Sequence, residues 1–230
     1  SDQTCQHAAT EGHLHILQWV RAQNPPCPWH ETVCNATSIH GHLDVLKWLR
    51  SQNPPCPWNK HICTGAAKHG HLHILQWVRA QNPPCPWDDD SCIYASLFGH
   101  FNILKWLRTQ NPPCPWNSCV CNWAAKTGRL DILKWVRAQN PPCPWDIEVC
   151  TSAVDGGHLA VLKWLRLKTP PYYWTEMCDV AAHHGELQIL QWMRSLNPPC
   201  PWTKSTYNAA NNNGYLEVAQ WAKESGCPCS

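Results

Sequence analysis

Apolar and polar positions alternate along this chain in a short, recurring rhythm. In "GHLDVLKWLR" at 41–50, Leu43, Leu46 and Leu49 fall on one stripe, with Val45 and Trp48 beside it. His42, Asp44, Lys47 and Arg50 fall on the other side, which predicts an amphipathic helix of about ten residues. The same pattern returns in "GHLHILQWVR" at 70–79 and "GRLDILKWVR" at 128–137, each ending on a basic residue as a helix C-terminus favours. A second helix is predicted ahead of each glycine. It is weaker in pattern and carries small pairs, Ala8-Ala9, Ala66-Ala67, Ala124-Ala125, Ala181-Ala182 and Ala209-Ala210, that let neighbouring helices approach closely.

The rhythm is a repeat. Glycines at 12, 41, 70, 99, 128, 157, 185 and 214 step by 29 residues, with one step of 28. Tryptophans at 19, 48, 77, 106, 135, 164, 192 and 221 keep the same beat. The repeat units are about 1–29, 30–58, 59–87, 88–116, 117–145, 146–174, 175–202 and 203–230, read as a single array over 1–230. "QNPPCPW" closes five units, "NPPCPW" another, and "TPPYYW" at 169–174 is a worn copy. Pro-Pro cannot continue a helix, so this corner is expected to be a stiff, polyproline-like connector. Asn59, Asp88, Asn117, Asp146, Thr175 and Thr203 follow it and are favoured N-caps, with acids next at Glu31, Asp89 and Glu176. Trp58 and Cys63 have the spacing of a hydrophobic staple, repeated at Trp29 and Cys34, Trp87 and Cys92, Trp116 and Cys121, and Trp145 and Cys150. Each glycine is expected to reverse the chain in a left-handed conformation.

"AAKHGHLHILQWV" at 66–78 and "AAHHGELQILQWM" at 181–193 resemble the latter half of the ankyrin repeat, and the resemblance extends over all eight units. Several features depart from it. The unit is shorter than the usual 33 residues of that family, "TVCN" at 32–35 replaces its "TPLH" signature, and the proline corner replaces its β-hairpin finger. The terminal "GCPC" at 226–229 looks like a remnant of a shorter corner. The resemblance implies an all-α solenoid of about eight stacked helix-turn-helix repeats without fingers, and a non-catalytic scaffold that binds protein.

Composition sharpens this reading. There are 16 tryptophans, two phenylalanines and 16 cysteines, and nearly all the Trp and Cys belong to the repeat. Two regular disulfide pairings are possible, Cys27 with Cys34 or Cys34 with Cys56. Neither removes cysteines in pairs where Tyr172 and Tyr207 stand in for Cys, so packing as small buried hydrophobes is favoured. That reading leans toward a reducing, intracellular compartment, although the address itself is unreadable. Cys119, Cys227 and Cys229 stand off the pattern as candidate reactive thiols. Zinc is disfavoured because the regular cysteine spacing is seven. His13, His42, His71, His100 and His158 share a position with Arg129, Glu186 and Tyr215, so hydrogen bonding at the helix turn suits them better. The beat tryptophans are expected to pack between repeats, with nucleobase stacking as the alternative; Trp123 is off the beat and expected to be exposed.

No catalytic constellation is present, because every recurring His, Cys or acid recurs in many copies; no cofactor or small-molecule substrate is implied. Net charge is +2, and no apolar run approaches a membrane span. The expected function is protein recognition, or service as a subunit of a larger assembly, through first-helix residues that vary between copies. These are His30, Glu31, Asn35, Lys60, His61, Thr64, Asp89, Asp90, Ile93, Ser118, Asn122, Trp123, Ile147 and Glu148. Two alternatives remain, one of them a cysteine-based redox or metal-binding protein. The other is nucleic-acid binding through a basic stripe on the second helices, at Lys47, Arg50, Arg79, Lys105, Arg108, Lys134, Arg137, Lys163 and Arg166.

Overall fold

A computed structural model describes residues 2–169, 174 and 176–229. The worn corner at 170–173, with Tyr172, and the expected cap at Thr175 lie outside the described residues. Among the described residues all regular structure is helical, and the fold is an array of helix-turn-helix repeats. The chain divides into two compact units, Ser1–Trp116 and Asn117–Ser230, at the boundary between the fourth and fifth repeats.

The first unit holds α1 (Asp2–Thr10), α2 (Leu14–Arg21), α3 (Glu31–His40), α4 (Leu43–Ser51), α5 (His61–Lys68), α6 (Leu72–Arg79), α7 (Asp89–Leu97) and α8 (Phe101–Thr109). The second holds α9 (Ser118–Lys126), α10 (Leu130–Arg137), α11 (Glu148–Asp155), α12 (Leu159–Arg166), α13 (Met177–His184), α14 (Leu187–Arg194), α15 (Lys204–Asn212) and α16 (Leu216–Glu224). Within each unit the odd-numbered first helices pack side by side, and each even-numbered second helix packs on its own partner.

Packing follows from side-chain size. The alanine pairs at 66–67, 124–125 and 181–182 are buried, so first helices meet nearly backbone to backbone. Leu46 and Leu49 are buried with Val45, whereas Leu43 at the helix start is half-exposed, so the core stripe is shifted toward Val45. Glycines turn the chain at φ between 71° and 86° in all eight repeats. A second constraint acts there. A Cβ on Gly41 would stand 2.8 Å from the His71 ring, and one on Gly12 would stand 2.6 Å from His42. Those histidines make no capping bond to their own helices. They reach back instead: His42 Nε2 bonds the Thr10 carbonyl at 2.9 Å, His71 the Ile39 carbonyl at 3.0 Å, and His100 the Lys68 carbonyl at 3.1 Å. Each satisfies an orphan carbonyl at the end of the preceding first helix.

The caps fall where the sequence places them. Asn117 accepts from the Cys119 N–H, Asn59 from His61 and Asp146 from Glu148, and Thr203 forms a capping box with Thr206. Asp88 makes no such bond and pairs with Lys60 at 2.5 Å.

The Asn–Pro bond of the corner is cis in all six described copies. The corner tryptophan has aromatic and cationic neighbours. Trp58 lies edge-on to Trp77 of the next repeat at 6.1 Å, while the Arg50 guanidinium lies over the Trp58 ring, 4.0 Å from its centroid. Trp29 with Trp48, Trp87 with Trp106, Trp145 with Trp164 and Trp202 with Trp221 repeat that geometry. The beat tryptophans thus bridge repeats, but from a half-exposed layer; Trp19, at the first repeat, is 65% exposed. Aliphatic side chains, alanine and cysteine make the core.

Twelve of the cysteines are buried in pairs 22 residues apart. Cys5 and Cys27 are joined by a disulfide. Cys34 and Cys56 are hydrogen-bonded to one another; that bond first, then burial, push the Cys34 thiol up, whereas the bond and the nearby Arg50 hold Cys56 below the usual thiol range. Packing alone is therefore too weak a description, and the pairing Cys27 with Cys34 is excluded. Cys227 is also corrected: it is buried in the position of a corner cysteine, and its Sγ bonds the Thr203 carbonyl.

Candidate recognition face

What distinguishes one repeat from the next is concentrated on the first helices. Counting back from each glycine, the residue five positions earlier is His7, Ala36, Gly65 and Tyr94 in the first unit, and Trp123, Ser152, Val180 and Ala209 in the second. Two positions before the glycine stand Thr10, Ile39, Lys68 and Leu97, then Lys126, Asp155, His183 and Asn212. Their helical spacing from the buried alanines turns them away from the second helices.

In the second unit these positions build a cleft of about 360 Å³ between α9, α11 and α13. Cys119, Asn122, Trp123 and Lys126 form one wall, Glu148, Thr151, Ser152 and Asp155 the other, and His184 closes an end. The large indole of Trp123 faces small Ser152 on the next helix, and this difference in side-chain size opens the cleft. Lys126 pairs with Asp155, and His184 Nδ1 lies 3.0 Å from the same carboxylate. The Lys126 hydrogen bond first, then the fields of His184 and Lys126, hold the Asp155 carboxyl below its usual range. Asn122 donates to Glu148 Oε2 at 3.0 Å. The Asn122 Oδ1 is buried and finds no donor among the described residues.

The first unit carries a flatter face. The Lys68 ammonium lies 5.8 Å above Tyr94 and 5.6 Å above Phe98, two rings stacked 6.4 Å apart on α7 and its C-terminus. A shallow groove runs beside α1 and α3, past Gln6, Thr10, Thr32, Asn35, Ala36, Ile39 and His40.

The sequence-derived residues divide in three. Asn122, Trp123 and Glu148 meet in the cleft, and Asn35 lines the groove. His30, Glu31, Lys60, His61 and Ile147 are exposed near first-helix N-termini, while Thr64, Asp89, Asp90, Ile93 and Ser118 are half-buried nearby. Trp123 is half-buried, not exposed. Lys126, Asp155 and His184 were missed, although variation just ahead of the glycine was the signal that locates Lys126 and Asp155.

The basic stripe is partly committed elsewhere. Arg50, Arg79 and Arg137 each donate from an η nitrogen to the carbonyl of their own corner cysteine, at 2.5–2.6 Å. Arg108 does the same to Cys114. Each also stacks on a corner indole at 3.8–4.0 Å. Arg166 lies farther out, 5.4 Å over Trp174. Lys47, Lys105, Lys134 and Lys163 are exposed. Among the described residues no group of three or more His, Cys, Asp or Glu side chains is placed to hold a metal, and no helix is long and apolar enough to cross a membrane.

No family model matches the chain, and no curated protein matches it. Solved structures do. The pentatricopeptide repeat protein PPR10 in complex with an 18-nt psaJ RNA element matches over 97% of this chain, with TM-score 0.51 and 10% identity. A triple cysteine-to-serine variant of that protein, bound to the same RNA element, matches equally. The chain spans 38% of the length of those structures. The likeness is one of fold: a helical-repeat scaffold of paired helices.

Proposed function

We propose that this chain is a non-catalytic recognition scaffold whose first helices grip an extended, basic polypeptide, with the Trp123 cleft as an anchoring pocket. One observation carries the reading: residues differ between copies mainly on the first helices, while the second helices and corners repeat almost unchanged. Charge selects the ligand. In the second unit the face carries Glu148, Asp155, Glu176 and Asp179 against Lys126 and Lys204, and in the first Glu31, Asp89 and Asp90 against Lys60 and Lys68. A polyanion gains little there, whereas a Lys or Arg side chain meets carboxylates and an indole face. The ankyrin-like sequence features support the same class of ligand.

The solved neighbours favour a second reading, single-stranded RNA, because those proteins are bound to RNA. Phosphate would then be held by Lys47 and Lys105 in the first unit and Lys134 and Lys163 in the second.

Selection of displayed random peptides on the full chain separates the two. Enrichment of Lys- and Arg-bearing peptides, with binding lost in Trp123→Ala but retained in Lys105→Glu, supports the polypeptide. Failure to enrich any peptide, with random single-stranded RNA bound in a steeply salt-dependent way and released by Lys105→Glu, overturns it.

A further inference from the structure

Cys119 lines the recognition cleft, whereas the cysteines that recur from repeat to repeat lie outside it, and their arrangement carries a function of its own. Cys5 on α1 and Cys27 in the following corner are bonded, 22 residues apart. The same two positions are cysteine in Cys34 and Cys56, Cys63 and Cys85, and Cys92 and Cys114 of the first unit, and in Cys121 and Cys143, and Cys178 and Cys200 of the second. Both sulfurs are held in one place from copy to copy. The helix thiol lies 3.7–3.9 Å from the carbonyl of its corner cysteine at Cys34, Cys92 and Cys178. The corner thiol donates to the carbonyl of the residue after the preceding corner at Cys56, Cys85, Cys114 and Cys143, at 3.2–3.5 Å. All ten are buried. We propose that these five pairs are further disulfide-forming sites, so that every repeat with cysteine at both positions holds one oxidisable rung.

Each rung would tie a first helix to the corner that closes its own repeat. The oxidant is a small external disulfide such as oxidised glutathione. A protein thiolate attacks one of its sulfurs, expels a small thiolate and forms a mixed disulfide. The partner thiol then displaces the second small thiolate, so the protein pair loses two electrons and two protons and the external disulfide becomes two thiols. Four cysteines have no such partner and act as internal controls. Cys119 and Cys229 lie off the ladder, Cys227 faces the helix position of Tyr207, and the corner position for Cys150 is Tyr172.

The test reduces the full chain and refolds it in oxidised and reduced glutathione, then alkylates the remaining thiols and maps the linked peptides. The expected result is a fall from 16 thiols to four, Cys119, Cys150, Cys227 and Cys229, with every bond spanning 22 residues and the urea midpoint raised. Bonds at seven-residue spacing, such as Cys27 to Cys34, would overturn the proposal, as would pairs that stay reduced or end as glutathione adducts. Tyr207→Cys supplies the missing partner of Cys227 and should add one bond; a folded variant without that bond counts against the ladder. Cys56→Ser gives the complementary reading, adding Cys34 alone to the four free thiols while the other rungs still close.

Discussion

The two helices of each repeat follow opposite rules. Second helices keep the same residues at the same positions, and nearly every one has an assigned physical task. Leu46 and Leu49 are buried, Arg50 braces its corner, and His42 bonds the preceding repeat. First helices keep only a buried side, alanine and cysteine, and let the other side vary from Gly65 to Trp123 at one position. Both layers contribute to cohesion, the first helices by packing side by side on their buried sides, and the proposed recognition falls to the variable side of the first helices. In a stacked array this division is economical, because each unit needs an identical joint on both flanks but only one free face.

The sharpest way to break that comparison is a core deletion. Leu104→Ala empties a fully buried site on α8 and should cost about 2–5 kcal/mol in urea unfolding. A comparable loss from Trp123→Ala would mean the recognition face is itself core.

Arg108 tests the corner. Losing its charged hydrogen bond to Cys114 and its stack on Trp116 should cost about 1.5–3 kcal/mol. Arg108→Lys keeps the charge but not the planar stack, so it should recover only a minor part of that stability. Full recovery would assign the residue to charge alone.

Gly41→Ala meets both an unfavourable φ of 86° and the His71 ring, and should cost about 1–3 kcal/mol by thermal unfolding. Adding His71→Ala should relieve the steric part and leave the backbone part.

Acid should act through the cohesive layer. Burial holds His71 below its ordinary value, so the folded state binds a proton less tightly than the unfolded chain. The stability it contributes is complete above about pH 6.5 and is lost as pH falls toward the lower folded value. His71→Gln, read as the urea midpoint between pH 7 and 5, should flatten that slope.

The smallest effect is expected in the cleft. Asp155→Asn breaks a partly exposed pair with Lys126, so stability should change by about 0–1 kcal/mol while binding of a basic peptide weakens. An unfolding shift larger than the binding shift would return Asp155 to a structural role.

Much of this was legible in the chain. The glycines, capping residues and apolar stripe announced sixteen short helices, because helix ends and amphipathic faces are local properties written within a few residues. Asn122, Trp123 and Glu148 were legible as variable first-helix residues. Their meeting with Asp155 and His184 was not, since that depends on how α9, α11 and α13 lie against one another. The corner was legible only in part for a similar reason. Trp58 has the spacing of a staple to Cys63, but its edge-on contact with Trp77 on the next repeat depends on how the two repeats pack.

By itself, then, the amino-acid order determined the repeat, its period, the identity of each helix and the positions free to vary. Only the tertiary structure decided which cysteine faces which, that the arginines brace the corners, and that a cleft opens beside Trp123. Local preferences act over a few bonds and survive in any one-dimensional reading. Partners 22 or 26 residues apart are chosen by packing, in which several chemically reasonable pairings compete and volume and burial select among them.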